Sequence, residues 1–132
     1  MVLCVLTKPQ IITRHDVKEV LLSWQTGESS TEEVHEWGER RYATDAYEVD
    51  DWEGEDQAIS LCNLVLAELD QLDMNLRTAA DVPILLACLE GKSGDAGTVA
   101  ANMEEALNRI DLTERAKELM HHPVYAPFCR DA

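Results

Sequence analysis

Two Glu-x-x-His spacings are the nearest this sequence comes to a reactive centre. Glu32-x-x-His35 has Glu36 and Glu39 close by, and Glu118-x-x-His121 lies toward the C-terminus. Residues at i and i+3 share one helix face. Carboxylate-bridged di-iron bundles combine two such pairs with one Glu from each of two further helices. Composition offers a plainer account, because 15 Glu produce such spacings by chance. His121 also sits just before Pro123, at a helix end, and the expected helices are short beside those of a ferritin-like bundle. A metal-binding bundle using Glu32, His35, Glu118 and His121 is therefore the second reading, and no cofactor is expected.

Other candidate chemistry is thinner. His121, His122 and Cys129, with or without Cys4, match no standard zinc spacing. They read as a surface tail. Gly91-Lys92-Ser93 repeats only the last letters of a phosphate loop, without the upstream glycine and after a helix rather than a strand. Gly-x-Ser-x-Gly is absent. The four cysteines form no Cys-x-x-Cys pair, and Cys62 and Cys88 lie in apolar runs. A thiol there behaves as a small hydrophobe, which fits a reducing compartment. Nothing specifies a reaction, so a non-enzymatic, cytoplasmic protein is expected.

Charge is more informative. Glu28 to Asp56 holds eight Glu and four Asp against Arg40 and Arg41, a net of −10 in a chain of −15. Trp37, Tyr42, Tyr47 and Trp52 are interleaved with these carboxylates. Binding to a phosphate backbone or an anionic membrane demands Lys and Arg, so neither nucleic acid nor membrane is an expected partner. A basic protein is. The expected contact residues are Asp45, Tyr47, Glu48, Asp50, Asp51 and Trp52, since charge steers encounter while desolvated aromatics hold the complex. Arg40 and Arg41 are expected to pair with Glu36, Glu39 or Asp45.

These side chains must be carried by helices. Thr13-Arg14-His15-Asp16 has the form of a capping box, flanked by Ile12 and Val17 as a staple. Val17, Val20, Leu21 and Trp24 follow at helical spacing, and Gly27 is a natural stop. Ser30-Thr31-Glu32-Glu33 opens a second helix with Val34 and Trp37 inward, running to about Tyr42. Ala43 to Gly54 reads as a loop. The next helix is expected from Glu55 to about Leu72, apolar around most of its circumference through Ile59, Leu61, Cys62, Leu64, Val65, Leu66 and Leu69. That is the pattern of a bundle's buried centre. Asp81 should cap a helix with Pro83 in its first turn, ending at Gly91. Lys92 to Gly97 reads as a loop, Thr98 as a cap, and Asp111 as the cap of the last helix. Met1 to Leu6 is too short and too poor in flanking basic residues for a signal peptide. Leu3–Leu6 and Ile11-Ile12 are the only β-like stretches.

The expected fold is all-α: one helical domain over residues 1–132, built as a compact bundle of five or six short helices. An N-terminal arm spans 1–12 and an extended tail spans 121–132, where Pro123 and Pro127 disfavour helix.

Leu21-Leu22-Ser23-Trp24-Gln25-Thr26-Gly27-Glu28-Ser29-Ser30 to Glu33, then Val34-His35-Glu36-Trp37, resembles the opening hairpin of small acidic bacterial helical proteins. In style it is similar to the immunity proteins that neutralise tRNA-cleaving bacteriocins such as colicin D. The shared pattern is an aliphatic helix, a Gly turn, a Ser cap and a second helix bearing Trp. The resemblance implies an inhibitor of a basic nuclease toxin, and it carries over no functional residue. The third reading is a bacterial structural or regulatory subunit, as a homodimer, whose acidic face serves solubility. The sequence predicts no stoichiometric iron, manganese or zinc in the purified protein, which elemental analysis checks. Metal lost on His35→Ala or Glu32→Ala would promote the metal-bundle reading.

Overall fold

Capping chemistry sets the first half of the chain. The structure, a computed structural model, describes residues 8–129. Helix α1 spans Arg14–Thr26. The Thr13 hydroxyl accepts from the Asp16 N–H at 3.1 Å, and the Asp16 carboxylate accepts from the Thr13 N–H at 2.9 Å. Gly27 closes the helix at φ +85°, a left-handed position that costs other residues steric strain. Helix α2 spans Thr31–Arg41 behind the reciprocal Ser30–Glu33 box. Across the turn the Trp24 indole donates to Thr31 Oγ1 at 3.1 Å. The expected helical hairpin is present.

The first correction follows α2. Residues 43–54 are not all loop: β2 (Tyr47–Val49) pairs in parallel with β1 (Gln10–Ile12), Ile11 opposite Glu48. The chain is mostly helical, with a small two-stranded sheet, rather than strictly all-α. Three residues are too few to show an alternating pattern. What makes β2 a strand is a partner 37 residues upstream and the burial of Ile12 and Val49. Ile11-Ile12 was legible as β-like, and Leu3–Leu6 lies outside the described residues.

Helix α3 spans Leu61–Asp70, later than the expected start at Glu55. Glu55–Gln57 forms a single 3-10 turn in which Asp56 takes φ 60°, and a right-handed helix cannot run through that residue. Ser60 is the true cap, accepting from the Asn63 N–H at 2.9 Å. The apolar pattern held. Leu61, Cys62, Val65, Leu66 and Leu69 are buried, with Ile59 and Leu64 half-buried beside them. Helices α1, α2, α4 and α5 all pack on α3.

Helix α4 spans Val82–Leu89 with Pro83 in its first turn. Asp81 holds the N-cap position as expected, but its side chain makes no capping hydrogen bond to α4. Its carboxylate accepts from the Thr78 N–H at 2.8 Å and pairs with Arg115 at 2.6 Å, at 2 % exposure. Helix α5 (Ala96–Asn108) starts ahead of the expected Thr98 cap. Helix α6 spans Leu112–Leu119 behind Asp111, which accepts from the Glu114 N–H at 3.0 Å. The described part of the tail, residues 121–129, is not extended. It folds into turns ending in a 3-10 turn at Ala126–Phe128, anchored by buried Tyr125, whose hydroxyl donates to the Arg77 carbonyl. Prolines exclude a long helix there but suit tight turns. No helix among the described residues is long and apolar enough to cross a membrane.

Gly38 lets α2 approach α3. A Cβ there would lie 2.8 Å from the Asp70 nitrogen and 2.9 Å from the Leu69 carbonyl carbon, both backbone atoms. Gly38→Ala should destabilise by about 1–3 kcal/mol through overpacking, read from urea unfolding. At Gly27 nothing lies within 4 Å, so Gly27→Ala should cost about 1–2 kcal/mol through its backbone conformation alone.

Candidate functional site

The acidic stretch divides into carboxylates turned inward and carboxylates turned out. Asp51 is turned inward, its side chain only 15 % exposed. Its oxygens accept from Arg14 Nε at 2.8 Å, from the Cys62 N–H at 3.0 Å and from the Ser60 hydroxyl. Cys62 lies in the first turn of α3, so Asp51 stands at the positive end of that helix dipole. Burial alone would raise the Asp51 carboxyl, but the hydrogen bonds from Ser60, Arg14 and Cys62 outweigh it and hold the carboxyl below its ordinary range. Arg14 Nη1 reaches on to the carbonyls of Leu89 at 3.1 Å and Gly91 at 2.6 Å, at the negative end of α4. Glu53 does for α5 what Asp51 does for α3. Its Oε1 accepts from the Gly94 N–H at 2.8 Å and the Ala96 N–H at 3.1 Å.

The other expected contact residues stay accessible. Asp45, Glu48 and Asp50 are exposed, Tyr47 is half-buried, and the Trp52 indole is 40 % exposed. Tyr47, Glu48 and Trp52 line a cleft of about 260 Å³ together with Arg41, Tyr42 and Asn63. It runs between the end of α2, strand β2 and α3. Asp45 and Asp50 are not among its lining residues. Asp51 is occupied internally, which its place in a run of carboxylates gave no means of seeing.

Arg41 departs from expectation. Arg40 pairs with Glu36, as its i, i+4 spacing allows, but Arg41 pairs with no carboxylate among the described residues. Its guanidinium carbon lies 4.5 Å from the Trp37 ring centroid and 5.1 Å from that of Tyr47, and Nη1 donates to the Trp37 carbonyl at 3.2 Å. Cation–π stacking holds it between the two rings.

The two Glu-x-x-His pairs do not converge. The His35 ring turns to the end of α3, donating from Nε2 to the Asp70 carbonyl at 3.0 Å, with Asp73 Oδ1 3.4 Å from the same nitrogen. Glu39 lies 3.7 Å from Nδ1, on the other side of the ring. Glu32, Glu118 and His121 are exposed. No group of three or more His, Cys, Asp or Glu side chains is placed to hold a metal ion among the described residues. His122 packs edge-on against Tyr125, and its Nδ1 accepts from the Val124 N–H at 3.2 Å. Cys4 lies outside the described residues. Burial pushes the Cys62 thiol up to about 12 and the Cys88 thiol to about 11, so neither is a ready nucleophile. The Gly91-Lys92-Ser93 turn has a packing reason for its glycine. A Cβ at Gly91 would fall 2.6 Å from Leu61 Cδ1 and within 3.0 Å of Val99.

Comparison of the chain with protein-family models, with curated proteins and with solved structures gives no match.

The inward carboxylate has a pH signature. Asp51→Asn leaves Arg14 and the α3 N-terminus short of an anion and should cost about 1–3 kcal/mol at neutral pH. The folded carboxyl lies below its unfolded value. Its contribution is therefore complete above the unfolded range near about pH 4 and is lost as pH falls through the folded value. Urea unfolding should show wild type and variant converging in acid; a gap that persists unchanged would remove Asp51 from this role.

Proposed function

We propose that this protein is a non-enzymatic acidic binding module whose outward face between α2 and α3 receives a basic protein. The sharpest version is an immunity or inhibitor role against a basic nuclease toxin. One observation carries the reading: the cleft lined by Arg41, Tyr42, Tyr47 and Trp52 opens within the most acidic part of the chain. Trp, Tyr and Arg are the residue types that dominate interface hot spots, and the partly exposed Trp52 indole shares its cleft with the Glu48 carboxylate. Asp45, Glu48 and Asp50 extend the negative field without being tied to the fold. Carboxylates so placed mimic phosphates, steer a basic partner inward and occupy its cleft.

The test separates steering from anchoring. Asp45, Glu48 and Asp50 are changed together to Asn or Gln, leaving Asp51 and Glu53 intact, and Trp52 is changed separately to Ala. A protein retained on the immobilised wild-type chain at low salt is measured against each variant. Neutralisation should lower the association rate and flatten its salt dependence, because the Debye length falls from about 10 Å at 0.1 M to about 3 Å at 1 M. Loss of the indole should raise the dissociation rate. A retained protein whose binding neither variant alters would leave the acidic face a solubility surface only.

A further inference from the structure

Arg41 is the one arginine among the described residues without a carboxylate partner. Arg14 pairs with Asp51, Arg40 with Glu36, Arg77 with Glu68, Arg109 with Glu105 and Arg115 with Asp81. The exception lies inside the stretch richest in carboxylates, where a partner would be easiest to find. Within its helix no carboxylate stands at the pairing position, since Trp37 occupies the i−4 place that Glu36 occupies for Arg40. The indole at that position holds the guanidinium against Tyr47 instead.

The remaining N–H donors are not engaged by any carboxylate. One goes to the Trp37 carbonyl, and the group borders two clefts. One cleft holds Trp52 and Tyr42, and the other lies against Gln10, Ile11 and Glu19. A planar guanidinium fixed between rings keeps its fork in one orientation, so little freedom is lost when a carboxylate docks on it.

We propose that Arg41 receives a carboxylate carried on the basic surface of the partner protein. The inference rests on the proposed basic-partner function and adds to it the chemistry of one contact. Field and site together select the occupant. A stretch of net −10 repels a free anion, so a carboxylate reaches Arg41 only when a body of opposite net charge brings it. The arrangement then discriminates among basic partners. One that lacks an acidic group at this point leaves Arg41 desolvated and unmatched, a penalty that separates the right partner from other cationic proteins.

The inference makes a prediction of opposite sign to simple electrostatics. Two lysine-rich peptides identical but for one central residue, Glu in one and Gln in the other, are titrated against the whole chain by calorimetry. Charge alone favours the Gln peptide, which is more positive by one. Arg41 should reverse the order, with the Glu peptide binding about tenfold tighter. Arg41→Gln should restore the order that charge dictates, and Arg41→Lys, which keeps the charge but loses the fork, should show a reduced preference. Thermal unfolding checks that each variant folds. The wild-type order is decisive by itself if a variant does not. Benzoate, a free carboxylate, should give no binding at concentrations where the Glu peptide saturates. Equal binding of both peptides, or tighter binding of the Gln form, would overturn the role of Arg41 while leaving the acidic face as a docking surface. Binding of benzoate comparable to the Glu peptide would overturn the assignment to a partner-borne group. Failure of both peptides to bind would overturn the basic-partner reading and this inference with it.

Discussion

The Arg14–Asp51 pair is the interaction on which the rest of the arrangement depends. It joins the first turn of α1, the acidic stretch, the start of α3 and the end of α4 through one guanidinium and one carboxylate. The charges are matched to backbone polarity as well as to each other. Asp51 faces the free N–H groups of α3, and Arg14 faces the free carbonyls at the end of α4. Neither helix end could be buried so fully without such a partner. Nearby, Glu53 closes the start of α5 in the same way. Three helices thus take their positions from residues on or beside one irregular segment.

That segment therefore has two jobs that a count of its charges merges. Its inward carboxylates are structural, and their burial is tolerable because both Asp51 oxygens and Glu53 Oε1 meet donors. Its outward carboxylates have no such duty. They raise the local negative potential and add repulsion to the folded state, a cost that solubility or a cationic partner would justify. The two groups interleave after the small β ribbon, where exposed Asp50 directly precedes inward Asp51. Val49 is buried, Glu48 is exposed, and Asp51 comes two residues later turned inward.

A second set of ionic contacts secures the opposite side of the bundle. Arg115 joins Asp81 to the Leu76 carbonyl, Arg77 pairs with Glu68 at 2.7 Å, and the Tyr125 hydroxyl meets the Arg77 carbonyl. Burial of Tyr125 pushes its phenol up to about 12, so it stays a hydrogen-bond donor at any ordinary pH. Through this contact the C-terminal turns are part of the packed structure rather than an appendage. The arginines of this protein thus divide by what holds them. Some pair with exposed carboxylates along a helix, some join buried elements, and among the described residues Arg41 alone is held by aromatic rings.

What the sequence determined by itself was local. The two capping boxes, the Gly27 stop, the Asp111 cap and the apolar circumference of α3 are set by residues within one or two turns of one another, and all stand in the structure. The weight of charge in residues 28–56 was equally plain. What only the tertiary structure decided was long-range. Glu55 looked like a helix start because acidic residues suit one, but Asp56 takes a left-handed conformation and Ser60 caps instead. Strand β2 was invisible because its pairing partner lies 37 residues away. Asp51 and Asp50 are adjacent and chemically alike, yet Asp51 is drawn inward by Arg14 and Asp50 is left in water. Arg41 was expected to find a carboxylate and found two rings. Periodicity and capping are properties of neighbours in sequence, so a sequence displays them. The direction a charged side chain turns depends on which distant backbone ends need a counter-charge, and that is known only once the helices have packed.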